Sequence, residues 1–74
     1  MNPSKLHVEI VLKECLDGRL AEGFAGFDLT ATPAGATLLT GDVPDQPALH
    51  GLLERIRDFN LSLVSVRVEE IKHG

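Results

Sequence analysis

Seventy-four residues, 7 of them Lys or Arg and 11 Asp or Glu, give a net charge of −4 and room for one domain at most, since ordinary domains run to roughly 100–200 residues. A negative chain with three Phe, no Trp and no Tyr has neither the basic face nor the stacking platforms of a general nucleic-acid binder. Its single cysteine, Cys15, forbids an internal disulfide. Cys15 and the three histidines also lack the C-x-x-C or H-x-x-x-H spacing of a four-ligand zinc site.

In chain order, residues 5 to 13 (KLHVEIVLK) alternate, with Leu6, Val8, Ile10 and Leu12 on one side. Period two over that length predicts a half-buried strand. Residues 14 to 26 predict a turn or two of helix, with Asp17 as its cap, Leu20 and Phe24 one turn apart, and Gly23 and Gly26 limiting the run. Residues 27 to 32 alternate again. Pro33-Ala34-Gly35 has tight-turn chemistry, and ATLLTG returns as a second strand, so residues 27 to 41 predict a hairpin. Adjacent Leu38 and Leu39 leave its facing open.

Asp45 predicts a helix cap, with Pro47 tolerated in the first turn. At about 100° per residue, Leu49, Leu52, Leu53, Ile56 and Phe59 share one side of the helix that follows. Asn60 supplies the stop, and Leu61 is placed to fold back onto the last turn. In the final strand, LSLVSVRVE, Val64, Val66 and Val68 take one face. The helical stripe is expected to lie against those valines.

These elements predict an α+β, two-layer sandwich: a four-stranded, mostly antiparallel sheet with one long helix, the whole of 1–74 forming a single small domain. With a short first helix as a crossover the topology is a ferredoxin-like βαββαβ plait. With a loop there instead, the first three strands form a meander, followed by the helix and the final strand.

Asp42 and Asp45 precede the long helix and would fill its amino end with their own charge. No Gly-Lys-Ser/Thr phosphate loop is present, so the helix start reads as a cap. His50 reads as a solvated histidine one turn before Glu54. Gly51, mid-helix and exposed, is either tolerated at about 1 kcal/mol relative to alanine or marks a contact surface. His7, Glu9, Arg67 and Glu69 fall on outward positions of the first and last strands, among Val11 and Leu63. Their types suit acid–base chemistry, but an open sheet face offers no pocket. A solvated ladder or a partner surface is the expectation there. Cys15 is expected buried and inert.

The segment DQPALHGLLERIRDFNLSLVSV resembles the end of a group of short bacterial proteins of unknown function, whose pattern runs D-Q-x-x-L-H-G-L-L-x-x-I-R-D-L-x-L-x-L-x-S-V. Phe59 stands where the pattern has leucine. The resemblance implies an intact domain and brings no activity, cofactor or catalytic residue with it.

A short chain has a marginal core, and with disulfide and metal set aside, self-association is the remedy left. The start MNPSKLHVEI has no signal-peptide core and no segment is apolar enough to span a membrane, so a cytoplasmic location is expected. The expected role is a non-catalytic protein-interaction module, a homodimer or a binder of another protein, with no cofactor and no catalytic or metal residue. The alternative is a small-molecule-binding regulatory domain resembling ACT-type domains, by likeness of fold alone.

Overall fold

A computed structural model of the chain describes residues 5–16, 18 and 22–71. Four strands, β1 (Lys5–Leu12), β2 (Asp28–Ala31), β3 (Thr37–Val43) and β4 (Leu63–Ile71), form one sheet with helix α1 (Gln46–Asp58). The order across the sheet is β2-β3-β1-β4 and every neighbouring pair is antiparallel. The first three strands are therefore not a meander, because β1 pairs with β3 and not with β2. The alternation of β1 explains its central place. Leu6, Val8, Ile10 and Leu12 are buried on one face while the intervening residues are at most half-buried.

The hairpin turns where Pro33 and Gly35 predict it. Gly35 has φ 84, which a residue without Cβ adopts freely, and Thr32 N–H donates to Ala36 O at 2.9 Å. Strand β3 runs two residues beyond the expected end at Gly41, so Asp42 lies in the sheet. Leu39 opposes Ile10 and is buried, whereas Leu38 opposes Val11 on the outer face and is half-buried.

Helix α1 starts and stops on the predicted residues. The Asp45 carboxylate accepts from Ala48 N–H at 2.9 Å, Asn60 has φ 59, and Leu61 N–H returns to Ile56 O at 3.1 Å. Leu52 and Ile56 are buried, while Leu49 and Leu53 are half-buried against the core. Phe59 departs from the expected stripe. It is exposed, and its ring meets Phe24 edge-on with centroids 5.5 Å apart.

The expected seat of the stripe needs correction. The core comprises β1, Leu39 and Val43 of β3, Leu52 and Ile56 of α1, and Phe24. The valines of β4 are not in it: Val64, Val66 and Val68 are 61%, 42% and 42% exposed. Val66 and Val68 oppose Ile10 and Val8, so they face the helix layer, as directly opposed residues of an antiparallel pair share a face. But β4 is an edge strand, and α1 lies nearest β3, on the other side of β1. One helix of 13 residues covers the middle of the sheet and leaves this edge open.

Between β1 and β2, Asp17 and Leu20 of the expected short helix lie outside the described residues, while Gly18 and Glu22 are helical. Phe24 is 1% exposed, held beside α1 by Arg55 Nη1 donating to Gly23 O at 3.0 Å. Cys15 is exposed, contrary to expectation. Thr37, buried on β3, donates to Glu14 O at 2.8 Å and accepts from Leu16 N–H at 3.2 Å, which ties residues 14–16 to the sheet. The Glu14 carboxylate accepts from Ser62 N–H at 2.8 Å, a bond that holds its pKa below the usual carboxylate value.

Candidate functional site

The residues singled out above fall on the outer face of the sheet, on the exposed side of α1 and on the helix-side face of β4. On the outer face, pairing brings His7, Glu9, Arg67 and Glu69 together: His7 opposes Glu69 and Glu9 opposes Arg67 across β1 and β4. On its other side His7 opposes Asp42 of β3, and its Nδ1 lies 2.8 Å from Asp42 Oδ1. His7 Nε2 is 3.8 Å from Glu9 Oε2, and Arg67 Nη1 is 3.8 Å from Glu9 Oε1. Asp42 is the member that sequence reasoning missed. Its signal was the alternation of β3, which continues through Asp42 to Val43.

The hydrogen bond to Asp42 raises the His7 pKa above 6.5, helped by the charges of Asp42, Glu9 and Glu69 and opposed by desolvation. A raised folded-state pKa means that the stabilisation is fully present below pH 6.5 and is lost as pH rises through the folded value. We expect the His7 imidazole to titrate above 6.5 by NMR, and Asp42→Ala to lower its pKa. An unchanged titration in that variant would show that the contact does not hold in solution. Chemically, this is an exposed ladder of charges on a sheet face. Such a ladder is open to solvent, whereas small-molecule sites are concave.

His50 and Gly51 are not part of that ladder. They lie on the exposed side of α1, bordering a shallow depression with Gln46, Pro47 and Glu54. A Cβ built on Gly51 meets nothing within 4 Å, so no neighbouring backbone requires the glycine. Gly51→Ala is expected to raise stability by about 0.5–1 kcal/mol in urea titration, the helix-propensity difference.

The third surface is the helix-side face of β4. Leu63 belongs here and not among the outer charges. A bulge between Val11 and Leu12 brings it opposite Leu12, and it is 47% exposed. Leu63, Val64, Val66 and Val68 thus form an open apolar row. At its start the row meets a groove of about 400 Å³ walled by Leu53, Ile56, Leu61 and Leu63, with Glu54 and Arg57 also lining it. A second open groove of about 490 Å³ lies by Phe27, Val43 and Leu52, with Asp42 and Arg55. Neither groove includes His7, Glu9, Arg67 or Glu69. Among the described residues no group of three or more His, Cys, Asp or Glu is placed to hold a metal ion, and no helix is long and apolar enough to cross a membrane.

Neither the curated proteins nor the solved structures contain a match to this chain. A family model matches residues 7–67, from the histidine of the outer ladder to its arginine, and so the chain belongs to the family described as Domain of unknown function (DUF8691).

Proposed function

We propose that this chain is a non-catalytic cytoplasmic protein-interaction domain that works through the helix-side face of β4. The observation that supports this reading is the uncovered row of Leu63, Val64, Val66 and Val68, 42% to 61% exposed on an edge strand. A contiguous apolar patch of this kind costs solubility unless a partner covers it. The charged outer face then keeps the opposite side of the sheet in water.

We also propose that the domain is a ferredoxin-like plait. β1 and β2 are both antiparallel to β3, hence parallel to each other with β3 between them, and their connection must cross the sheet. β3 and β4 stand in the same relation around β1, with α1 in the connection. Right-handed crossovers complete the βαββαβ arrangement.

A photo-crosslinking amino acid placed at Val66 in cells tests the interaction reading. Light-dependent adducts with protein are expected at Val66, and not at Thr30 on the exposed outer face of β2. Absence of adducts at Val66 in a folded, expressed chain would refute a protein-binding role for β4. A second reading, a regulatory domain that takes a small molecule, is favoured by one observation, the groove beside Leu53 and Leu61, whose volume of about 400 Å³ lies within the usual range for ligand pockets. A thermal-shift screen against amino acids and nucleotides separates the two. A reproducible rise in melting temperature, abolished by Leu53→Arg, identifies the sensor.

A further inference from the structure

We propose that the partner of β4 is a second copy of this chain, paired antiparallel along the free edge with the twofold axis at Val66, so that two four-stranded sheets become one of eight strands. The inference rests on the reading of β4 as a protein-binding surface and adds the identity and register of the partner.

The free edge comes first. β4 is bonded to β1 on one side, and among the described residues no strand pairs with its other side, which runs over nine residues, LVSVRVEEI, with a bulge at Val64. Natural proteins blunt such edges with proline, short length, charged side chains, bulges or a covering segment, because the unpaired N–H and C=O groups template another strand. The opposite edge, β2, is blunted in this way by being four residues long. β4 is long and contains no proline, and its bulge at Val64 and the helix-side carboxylate of Glu70 lie at the two ends of the stretch 65–69, which is left for regular pairing.

The side chains then select the occupant. From Val64 to Val68 the order is Val-Ser-Val-Arg-Val, apolar at alternate positions and symmetric about Val66. An antiparallel pairing centred there sets Val66 against Val66 and brings Val64, at the bulge, to the second copy's Val68, so the helix-side valines of the two copies meet across the axis. On the outer face Ser65 meets Arg67, and each Arg67 keeps its own Glu9 at 3.8 Å. No like charges stand directly opposed.

The neighbouring registers are worse. Centring on Arg67 opposes two guanidinium groups, which is destabilising. Centring on Val68 allows Arg67 to face Glu69 but sets Glu70 against Val66 and so breaks the apolar row with a carboxylate. Centring on Ser65 leaves Val68 opposite Ser62. The same patch on both copies is what closed twofold symmetry requires, and with β2 too short to offer a second such edge the assembly stops at two.

The test uses the full chain. Sedimentation velocity is expected to show a species of about 16 kDa, twice the 8.0 kDa chain. Val66→Arg opposes two cations at the axis and is expected to weaken the dimer at least about a hundredfold in Kd. Register is read by single cysteines in a Cys15→Ser background. Val66→Cys is expected to form an intermolecular disulfide under mild oxidation, because directly opposed residues across an antiparallel pair lie within disulfide reach. Ser65→Cys and Arg67→Cys are expected to cross-link with each other in a mixture and poorly alone.

A wild-type chain that stays at 8.0 kDa at high micromolar concentration overturns the proposal. So does a dimer whose strongest self-cross-link falls at Arg67→Cys or Val68→Cys, or one with no cross-link along β4. Adducts at Val66 with other proteins alone, from a monomeric chain, would retain the protein-binding role and refute the second copy as its partner. If Val66→Arg fails to fold, the cysteine variants still decide.

Discussion

Phe24→Ala is expected to cost about 3–5 kcal/mol and to leave much of the chain unfolded at 37 °C. Phe24 is the largest fully buried side chain among the described residues, 1% exposed, and lies between β1 and β2. Truncation removes the whole ring from the core together with its edge-on contact to Phe59 at 5.5 Å, a kind of contact worth about 0.5–1.5 kcal/mol beyond its buried area. A folded chain of 74 residues has a stability of about 4–11 kcal/mol, so a loss of this size is a large part of the whole. Phe59→Ala, at a ring 39% exposed, is expected to cost clearly less. Urea unfolding followed by circular dichroism measures both. Equal and small effects would mean that the segment before β2 does not seal the core.

Gly41→Val is expected to destabilise by about 1–3 kcal/mol, the range for forcing extra volume into a packed site. Gly41 opposes Val8 on the helix side of the sheet. A Cβ built there falls 2.4 Å from Phe27 Cδ1 and 2.9 Å from Phe27 Cε1, so the Phe27 ring fills the space that a side chain on β3 would occupy. Backbone conformation is not the reason for the glycine, since Gly41 is not among the residues with positive φ. A double-mutant cycle separates the two causes. In a Phe27→Ala background the cost of Gly41→Val should shrink or reverse, because the valine then occupies the vacated space. An undiminished cost would place the conflict in the strand itself.

What could be read in the sequence was local. The cap at Asp45, the stripe through Leu52 and Ile56, the stop at Asn60 and the alternation of β1 each follow from residues within one or two turns or strand periods of each other, and each stands in the fold. What could not be read depends on where an element sits among the others. The valines of β4 alternate as a half-buried strand should, yet burial requires a covering layer, and α1 lies over β1 and β3. Leu63 changes face because of a bulge opposite Leu12, which a strict two-residue period cannot anticipate. Asp42 joins His7 across 35 positions of sequence through the pairing of β1 with β3. Of the candidate site, His7, Glu9, Arg67 and Glu69 are gathered as their outward positions implied. His50 and Gly51 share only exposure with them.

Helix α1 covers the middle of the sheet and leaves the edge strand's apolar row open. Methyl–methyl NOEs within a single labelled chain test that most directly. Cross-peaks from Leu52 to the methyls of the β1 and β3 core are expected, with none from Leu52 to Val68. A strong Leu52–Val68 cross-peak within one chain would put the helix over β4, close the surface proposed for binding, and contradict the open edge.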